Sequence, residues 1–239
     1  MRDGQASADR LGSADDRPMV GVGSGGSQEE EIAVAATLNG MTVPSWASHV
    51  EDKLAPMPLL RVQAFVDTVD QDLGTDIFAD PDQAGAWLAD AGLRVPDPDQ
   101  SDPDFADDLA LAREARASIR ALIGRNTANE PLALDDLARL EKILGQAQPR
   151  LAVDADGLLR LGPALPTSTL ADGLLGLMLI IRDAQADGSW DRLKLCSNPD
   201  CRWAFYDRSH SRRGAWCDMA SCGNRVKNRN LRARRAQAS

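Results

Sequence analysis

Residues 194–225 read KLCSNPDCRWAFYDRSHSRRGAWCDMASCGNR and contain all four cysteines of the 239-residue chain. The cysteines form two close pairs, Cys196 with Cys201 and Cys217 with Cys222, and 15 residues separate the pairs. Four thiolates suit a tetrahedral Zn²⁺ ion and leave no open position on it for a catalytic water. The spacing therefore predicts one zinc ion with a structural role.

Other chemistry is also compatible with paired cysteines. Two disulfides, a redox pair or an iron–sulfur cluster remain alternatives, although nothing in the sequence indicates an oxidising compartment. His210 is a fifth possible ligand, but with four cysteines available we expect a solvated imidazole there. The other histidine, His49, has no second ligand or nucleophile at a useful spacing, and we expect it to be solvated too.

The end of the chain carries a charge opposite to that of the rest. Residues 194–239 contain eleven Lys and Arg against three Asp, a net +8, whereas the remaining residues contain 16 against 33, a net −17. The overall net charge of −9 hides this division. A basic segment on an acidic protein favours binding to a polyanion. We also expect the metal to nucleate the cysteine-rich segment, so that loss of zinc unfolds this segment alone.

The chain after the last cysteine lacks acidic residues and proline, and its composition predicts a helix. Helical periodicity places Arg225, Arg229 and Arg232 on one face, with Val226 and Ala233 on another that can pack on the zinc site. We expect the basic side chains to contact DNA. These candidates are Arg225, Lys227, Arg229, Arg232, Arg234 and Arg235. RNA, single-stranded nucleic acid and a protein partner remain alternatives.

Four of the ten aromatic residues lie between the cysteine pairs: Trp203, Phe205, Tyr206 and Trp216. A zinc module this short buries little apolar surface, so these rings are expected to form its small core. Base stacking on exposed rings is the alternative.

Residues 195–207 and 216–225 closely resemble the CGNR-type zinc finger. The resemblance implies that Cys196, Cys201, Cys217 and Cys222 are zinc ligands and that the module binds DNA. Proteins of this family usually carry an upstream helical region, the ABATE domain, proposed to act in stress-induced transcription regulators. Residues 63–70 (QAFVDTVD) and 87–93 (WLADAGL) are similar to its opening, except that Asp67 stands where Asn is usual.

The predicted fold class is mainly α (α+β). We expect a mostly disordered leader over residues 1–57, an ABATE-like helical domain with a small β-hairpin over 58–190, and the zinc finger with its basic helix over 191–239. Apolar periodicity and capping residues predict the elements. They are a helix from Leu59 to Gly74, one from Asp80-Pro81 to Gly92, one from Asp102-Pro103 to Gly124, one after Asp135, a hairpin over 151–161, and a helix capped by Thr167 or Ser168 that ends at Gly188.

No set of residues in the sequence indicates an enzyme. The two histidines are isolated, and four thiolates leave no open coordination position on the metal. No apolar run reaches the ~20 residues that a bilayer requires. The sequence predicts a cytoplasmic transcription regulator that binds double-stranded DNA and is then associated with the nucleoid. A homodimer is a possible state, and the helical domain is expected to respond to an unknown small-molecule or protein effector. The acidic stretch Asp97–Asp108 is expected to be a solvated linker, with docking on the basic helix as the alternative.

Overall fold

The computed structural model describes residues 34–38, 41–50, 53–95, 105–128, 131–163 and 169–237. Most of the expected leader, most of the acidic stretch Asp97–Asp108, and the predicted caps at Asp102-Pro103 and Thr167 or Ser168 lie outside these residues. The described residues after Ala33 belong to one compact unit.

The described part of the chain contains six α-helices, four shorter helical turns and four antiparallel strand pairs. The helices are α1 Leu59–Val66, α2 Pro81–Asp90, α3 Phe105–Ala128, α4 Leu134–Leu144, α5 Leu170–Asp187 and α6 Asn224–Gln237. The paired strands are β1 Val34–Leu38 with β2 Met41–Pro44, β3 Val69–Asp70 with β4 Thr75–Asp76, β5 Pro149–Val153 with β6 Leu159–Pro163, and β7 Leu193–Leu195 with β8 Ala204–Tyr206. The predicted class, mainly α with small β elements and a final helix, is confirmed.

The hydrophobic core lies between α1, α3 and α5. The same core includes Phe65 on α1, Phe78 just before α2 and Trp87 on α2, whose rings contact one another with centroids 5.7–6.1 Å apart. Helix α5 packs so closely that a Cβ at Gly173 would lie 1.9 Å from the carbonyl oxygen of Leu93. Only glycine fits at that position.

The core also includes chain that we expected in the leader. Val43, Trp46 and Val50 are buried, and the carbonyl of Trp46 accepts a 2.8 Å hydrogen bond from the indole of Trp87. Part of the expected leader therefore packs against the helical body.

The first predicted helix is too long, because α1 ends at Val66 instead of reaching Gly74. The Thr68 hydroxyl donates to the carbonyl of Phe65, and Val69 pairs with Asp76 across β3 and β4. Leu73, an apolar residue within the predicted helix, is 76% exposed. Local side-chain hydrogen bonds here compete successfully with the helix.

Two further helix boundaries differ from the prediction. Helix α3 runs past Gly124 to Ala128, because the Asn126 amide donates to two carbonyls beside β7 and so holds the last turn in place. Helix α5 is capped by Thr169, whose hydroxyl accepts from the backbone N–H of Asp172, rather than by Thr167 or Ser168.

Other predicted boundaries are confirmed. The Asp80 carboxylate accepts from two backbone N–H groups at the start of α2, and Pro81 is the first helical residue. Helix α4 lies where a helix was predicted, although it begins at Leu134 and so includes Asp135. The β5–β6 hairpin lies where predicted, and Gly188 ends α5 with φ +76°.

The β7–β8 hairpin joins the cysteine-rich segment to the helical body. Leu193 and Leu195 are fully buried in the main core, and the backbone N–H of Leu195 donates to the Thr127 hydroxyl at 2.8 Å. The Gln63 amide donates to the carbonyl of Ala204 at 3.1 Å. The loop that carries the first cysteine pair is therefore anchored in the body at both ends.

Candidate metal centre and basic helix

The four cysteine sulfurs converge at one point. All four Sγ atoms lie within 4.8 Å of one another, and Cys217 Sγ lies 3.7 Å from both Cys201 Sγ and Cys222 Sγ. A tetrahedral zinc ion with Zn–S bonds of about 2.3 Å requires sulfurs about 3.8 Å apart. The donor set therefore fits one structural Zn²⁺, as predicted.

Other arrangements fit the geometry less well. None of the four cysteines forms a disulfide, whose S–S bond would be about 2.05 Å. His210 is exposed and does not belong to the sulfur group.

Two short turns present the sulfurs. Cys196 and Cys201 flank the tip of the β7–β8 hairpin, where the backbone N–H of Cys196 donates to the carbonyl of Trp203 at 2.8 Å. On the other side, the Asp218 carboxylate accepts from the backbone N–H groups of Ala220 and Ser221 and caps a helical turn over Met219–Gly223. The fourth cysteine lies in that turn, and the helix predicted after it, α6, follows directly at Asn224.

Polar groups surround the sulfurs. The Arg225 guanidinium lies 3.4 Å from Cys222 Sγ, and the buried Asn198 amide lies 3.7 Å from the same atom. Four thiolates around one Zn²⁺ leave a net charge of about −2. Donors aimed at the sulfur offset part of that charge.

The thiols need a cation to ionise together. Hydrogen bonds from Cys201 and Cys217 lower the pKa of Cys196 to about 2, whereas the hydrogen bond with Cys196 raises the pKa of Cys201 to about 12. The first thiolate to form thus opposes ionisation of its neighbours. A bound Zn²⁺ supplies the positive charge that a set of four thiolates requires.

The aromatic core expected within the zinc module is present only in part, because Tyr206 belongs to the main core instead. Phe205 is fully buried and Tyr206 packs in the main core, while Trp203 and Trp216 are half-buried against the cysteines. Phe205 and Tyr206 are therefore not available for base stacking.

Helix α6 presents a basic surface of six Lys and Arg residues with no acidic residue, and all six are exposed. Within the described part of the chain, Lys227, Arg232 and Arg234 make no hydrogen bond or ion pair. Their charges are available to a partner.

Two of the residues predicted to contact DNA, Arg225 and Arg229, pair with this protein's own acidic groups. Arg225 pairs with both carboxylate oxygens of Asp72, at 2.8 and 2.7 Å, in the turn between β3 and β4. This hydrogen-bonded pair lowers the pKa of Asp72 and raises that of Arg225. Arg229 donates to Asn198 Oδ1 at 2.9 Å and to Asp200 Oδ2 at 3.0 Å.

The attachment of α6 differs from the expected one. No residue of the helix is buried, Val226 is half-buried and Ala233 is exposed. The expected apolar packing face is therefore largely absent, and Arg225 and Arg229 hold the helix by ion pairs.

Sequence reasoning missed a buried ion pair beside the zinc site. Lys194 Nζ lies 2.9 Å from Asp207 Oδ2, and Asp207 also accepts from the backbone N–H groups of Ser209 and Gly214. Burial alone would raise the pKa of Asp207, but the hydrogen bonds from Ser209 and Lys194 lower it overall. The only signal in the sequence was an Asp at the start of a Ser- and Gly-containing loop.

The prediction that His49 is solvated is wrong. It is half-buried, its Nε2 lies 2.9 Å from the carbonyl oxygen of Ala64, and burial lowers its pKa. The carbonyl partner indicates that Nε2 carries the proton of the neutral ring. A partner from α1 could not be deduced from a lone histidine in a polar stretch.

The fold and the sulfur group define a zinc-binding protein in which a helical body precedes a small four-cysteine module. Within the described residues, no helix is both long and apolar enough to cross a membrane. Residues 61–186 match the ABATE family, described as "Putative stress-induced transcription regulator", and residues 192–235 match the CGNR zinc finger.

The first match covers more than half of the chain, which therefore belongs to the ABATE family and carries a C-terminal CGNR zinc finger. The predicted family is confirmed. No curated protein matches the chain significantly. The ABATE family is described as regulatory and the CGNR family is a zinc finger. Together with the four converging thiols, the two matches indicate a zinc-binding regulator.

Proposed function

We propose that this protein is a zinc-dependent transcription regulator that binds double-stranded DNA through α6. The observation that carries the proposal is the position of α6: a helix with six basic residues and no acidic residue begins directly after the turn that holds the fourth zinc ligand. The metal fixes that turn and therefore the direction in which the helix leaves the protein.

The chemistry of α6 suits a DNA groove. Its 14 residues span about 21 Å, and an exposed helix of this width fits the major groove. Lys227, Arg232 and Arg234 can neutralise phosphates, whereas the exposed amides of Asn228 and Asn230 can pair with adenine.

We propose that the helical body, residues 58–190, acts as the sensor or the dimerisation unit. The β5–β6 hairpin supports the second role. Leu151 lies opposite Leu161 and Val153 opposite Leu159, so four apolar side chains share one face, and each is at least 45% exposed. A homodimer that covers this face would present two basic helices to two half-sites. The proposed location is the cytoplasm, with nucleoid association when the protein binds DNA.

The test is selection of zinc-loaded protein on a random duplex pool near physiological salt, repeated after chelation and with single-stranded DNA and RNA. We expect one enriched duplex motif that is lost with the metal. Preference for unpaired probes would favour single-strand or RNA binding, and no binding to any nucleic acid would favour a protein-interaction module.

A matched pair of double variants tests the role of α6. Lys227→Ala with Arg232→Ala removes from α6 two exposed charges that make no ion pair within the described residues, and Lys142→Ala with Arg150→Ala removes two such charges from the body. We expect the first pair to weaken duplex binding and to reduce the salt slope by about 1.8, since each phosphate contact contributes about 0.9. Equal effects of the two pairs, with zinc retained, would show that binding follows net charge and not α6.

A further inference from the structure

A second basic element follows strand β8, at residues 208–213 (RSHSRR), which we call the arginine loop. It contains three arginines and one histidine but no acidic residue, and all six of its residues are exposed. The chain outside residues 194–239 carries a net charge of −17. Neither the metal centre nor α6 accounts for this concentration of positive charge.

The buried ion pair between Lys194 and Asp207 holds the arginine loop at its base. Lys194 Nζ also donates to the carbonyl of Arg212, at the far end of the loop. The Arg192 guanidinium donates to the carbonyl of Asp207 at 3.0 Å. A Cβ at Gly214 would lie 2.8 Å from the Asp207 carboxylate, so only glycine allows this closure. The loop therefore has a defined path although its side chains are exposed.

The network has a purpose other than stability. A buried ion pair adds little net stability, because desolvation of the two charges offsets their attraction. Here its hydrogen bonds go to backbone groups at both ends of the loop and fix how the loop is presented. Arg212 has φ +51°, in the left-handed region that is unfavourable for residues other than glycine. An arginine at this position favours a role for its side chain.

Two of the three arginines have charges available to a partner. Arg208 donates to the carbonyl of Leu54 at 2.9 Å and lies over the ring of Tyr206, so it attaches the loop to the body. The side chains of Arg212 and Arg213 make no hydrogen bond or ion pair with any residue that the structure describes. Two adjacent guanidinium groups in this state suit an anion.

The arginine loop lies close to the start of α6. Arg213 is four residues before Cys217, so the Cα atoms of these two residues are no more than about 14 Å apart. The sulfur of Cys217 lies 3.7 Å from that of Cys222, and α6 begins two residues after Cys222. The major groove is about 12 Å wide, and a phosphate backbone runs along each side of it. With α6 in the groove, the loop is therefore within reach of the flanking phosphates.

We propose that the arginine loop is a second DNA-binding element, in which Arg212 and Arg213 bind backbone phosphates beside the groove that α6 occupies. A guanidinium group can donate two parallel hydrogen bonds to a phosphate. Such contacts position a protein on the duplex without reading its sequence. This inference rests on the proposed function and adds to it the contacts that orient α6.

The test is fluorescence anisotropy of a labelled random-sequence duplex of about 20 base pairs with zinc-loaded full-length protein, from about 50 to 200 mM KCl. Arg212→Ala with Arg213→Ala should reduce the salt slope by about 1.8. The loss of affinity across this range should then be about twelvefold smaller than for the wild type.

Two control variants separate the role of the loop from other effects. Arg212→Lys with Arg213→Lys keeps both charges and should retain the wild-type slope, because a lysine also neutralises a phosphate. Lys142→Ala with Arg150→Ala removes the same charge from the body and should leave the slope unchanged. Zinc content and melting temperature are measured for each variant, so that a loss of folding is recognised.

A wild-type slope in the Arg212→Ala, Arg213→Ala variant, with zinc retained, would overturn the inference, and so would an equal reduction in the body variant. The Lys227→Ala, Arg232→Ala variant of α6 is measured alongside. An effect of the α6 variant without one of the loop variant refutes the loop alone. The reverse result refutes the role of α6 and leaves the loop as the DNA-binding element. No binding of duplex by the wild type refutes both.

Discussion

Asp67 makes the stability of this protein depend on pH in an unusual direction. Burial raises the pKa of its carboxyl well above the ordinary value of 3.8, with Asp70 adding to the shift and Arg120 and the Ala204 N–H opposing it. Between the two pKa values, the folded protein holds a proton on Asp67 that the unfolded chain releases. Rising pH therefore destabilises the fold in this window.

The perturbation is Asp67→Asn, which keeps an oxygen for the Ala204 N–H but cannot ionise. One proton taken up on folding corresponds to about 1.4 kcal/mol per pH unit. The free energy of unfolding of the variant, relative to the wild type, should therefore rise by about 1.4 kcal/mol for each pH unit. The rise should stop once the pH passes the folded-state pKa.

Urea unfolding of the zinc-saturated protein at half-unit steps from pH 5 to pH 8 measures this difference. Effects of pH on zinc binding are common to both proteins and cancel. Glu114→Gln is the control, because the exposed carboxylate it removes should leave the pH profile unchanged. Parallel profiles for the wild type and the Asp67→Asn variant across the whole range would refute the reasoning that burial controls this carboxyl.

Three further predictions concern the metal and the core. X-ray absorption should show four sulfur ligands at about 2.3 Å from one zinc per chain, and three sulfur ligands in a Cys217→Ser variant. Nitrogen ligands in the wild type would contradict the assignment of the four cysteines as the zinc ligands. Chelation should lower the melting temperature of the whole body, and not unfold the basic segment alone as the sequence predicted, because the hairpin that carries Cys196 is packed in the main core. Circular dichroism at 222 nm measures this, and a helical signal that melts unchanged would contradict it. Leu174→Ala should cost about 2–5 kcal/mol in urea unfolding, since Leu174 is fully buried; a loss under 1 kcal/mol would mean that the site repacks.

The metal site was predictable from sequence because two pairs of closely spaced cysteines by themselves indicate a zinc site. The helix starts with strong local signals were also predictable, such as the Asp80-Pro81 cap. The end of α1 was not predictable, because the apolar spacing continues to Leu73. The Thr68 hydroxyl donates to the Phe65 carbonyl and the Asp70 carboxylate accepts from the Leu73 N–H, and these bonds redirect the chain.

Contacts between distant parts of the sequence were the other gap. The Arg225–Asp72 pair joins residues 153 positions apart, and the hydrogen bond from Ala204 to Asp67 spans 137. Composition and periodicity describe each segment by itself and contain no information on such pairings. The sequence predicted the outward basic face of α6 but not the acidic groups that occupy part of it.

The anchoring of the β7–β8 hairpin bears on how this zinc finger can be used outside its parent protein. Its fully buried strand residues, Leu193 and Leu195, and the neighbouring Phe205 would become exposed if residues 191–239 were grafted onto another protein. Apolar strands without their covering layer promote aggregation. Engineering new targets onto this scaffold therefore means redesigning α6 in place, or first replacing the apolar underside of the finger with polar side chains.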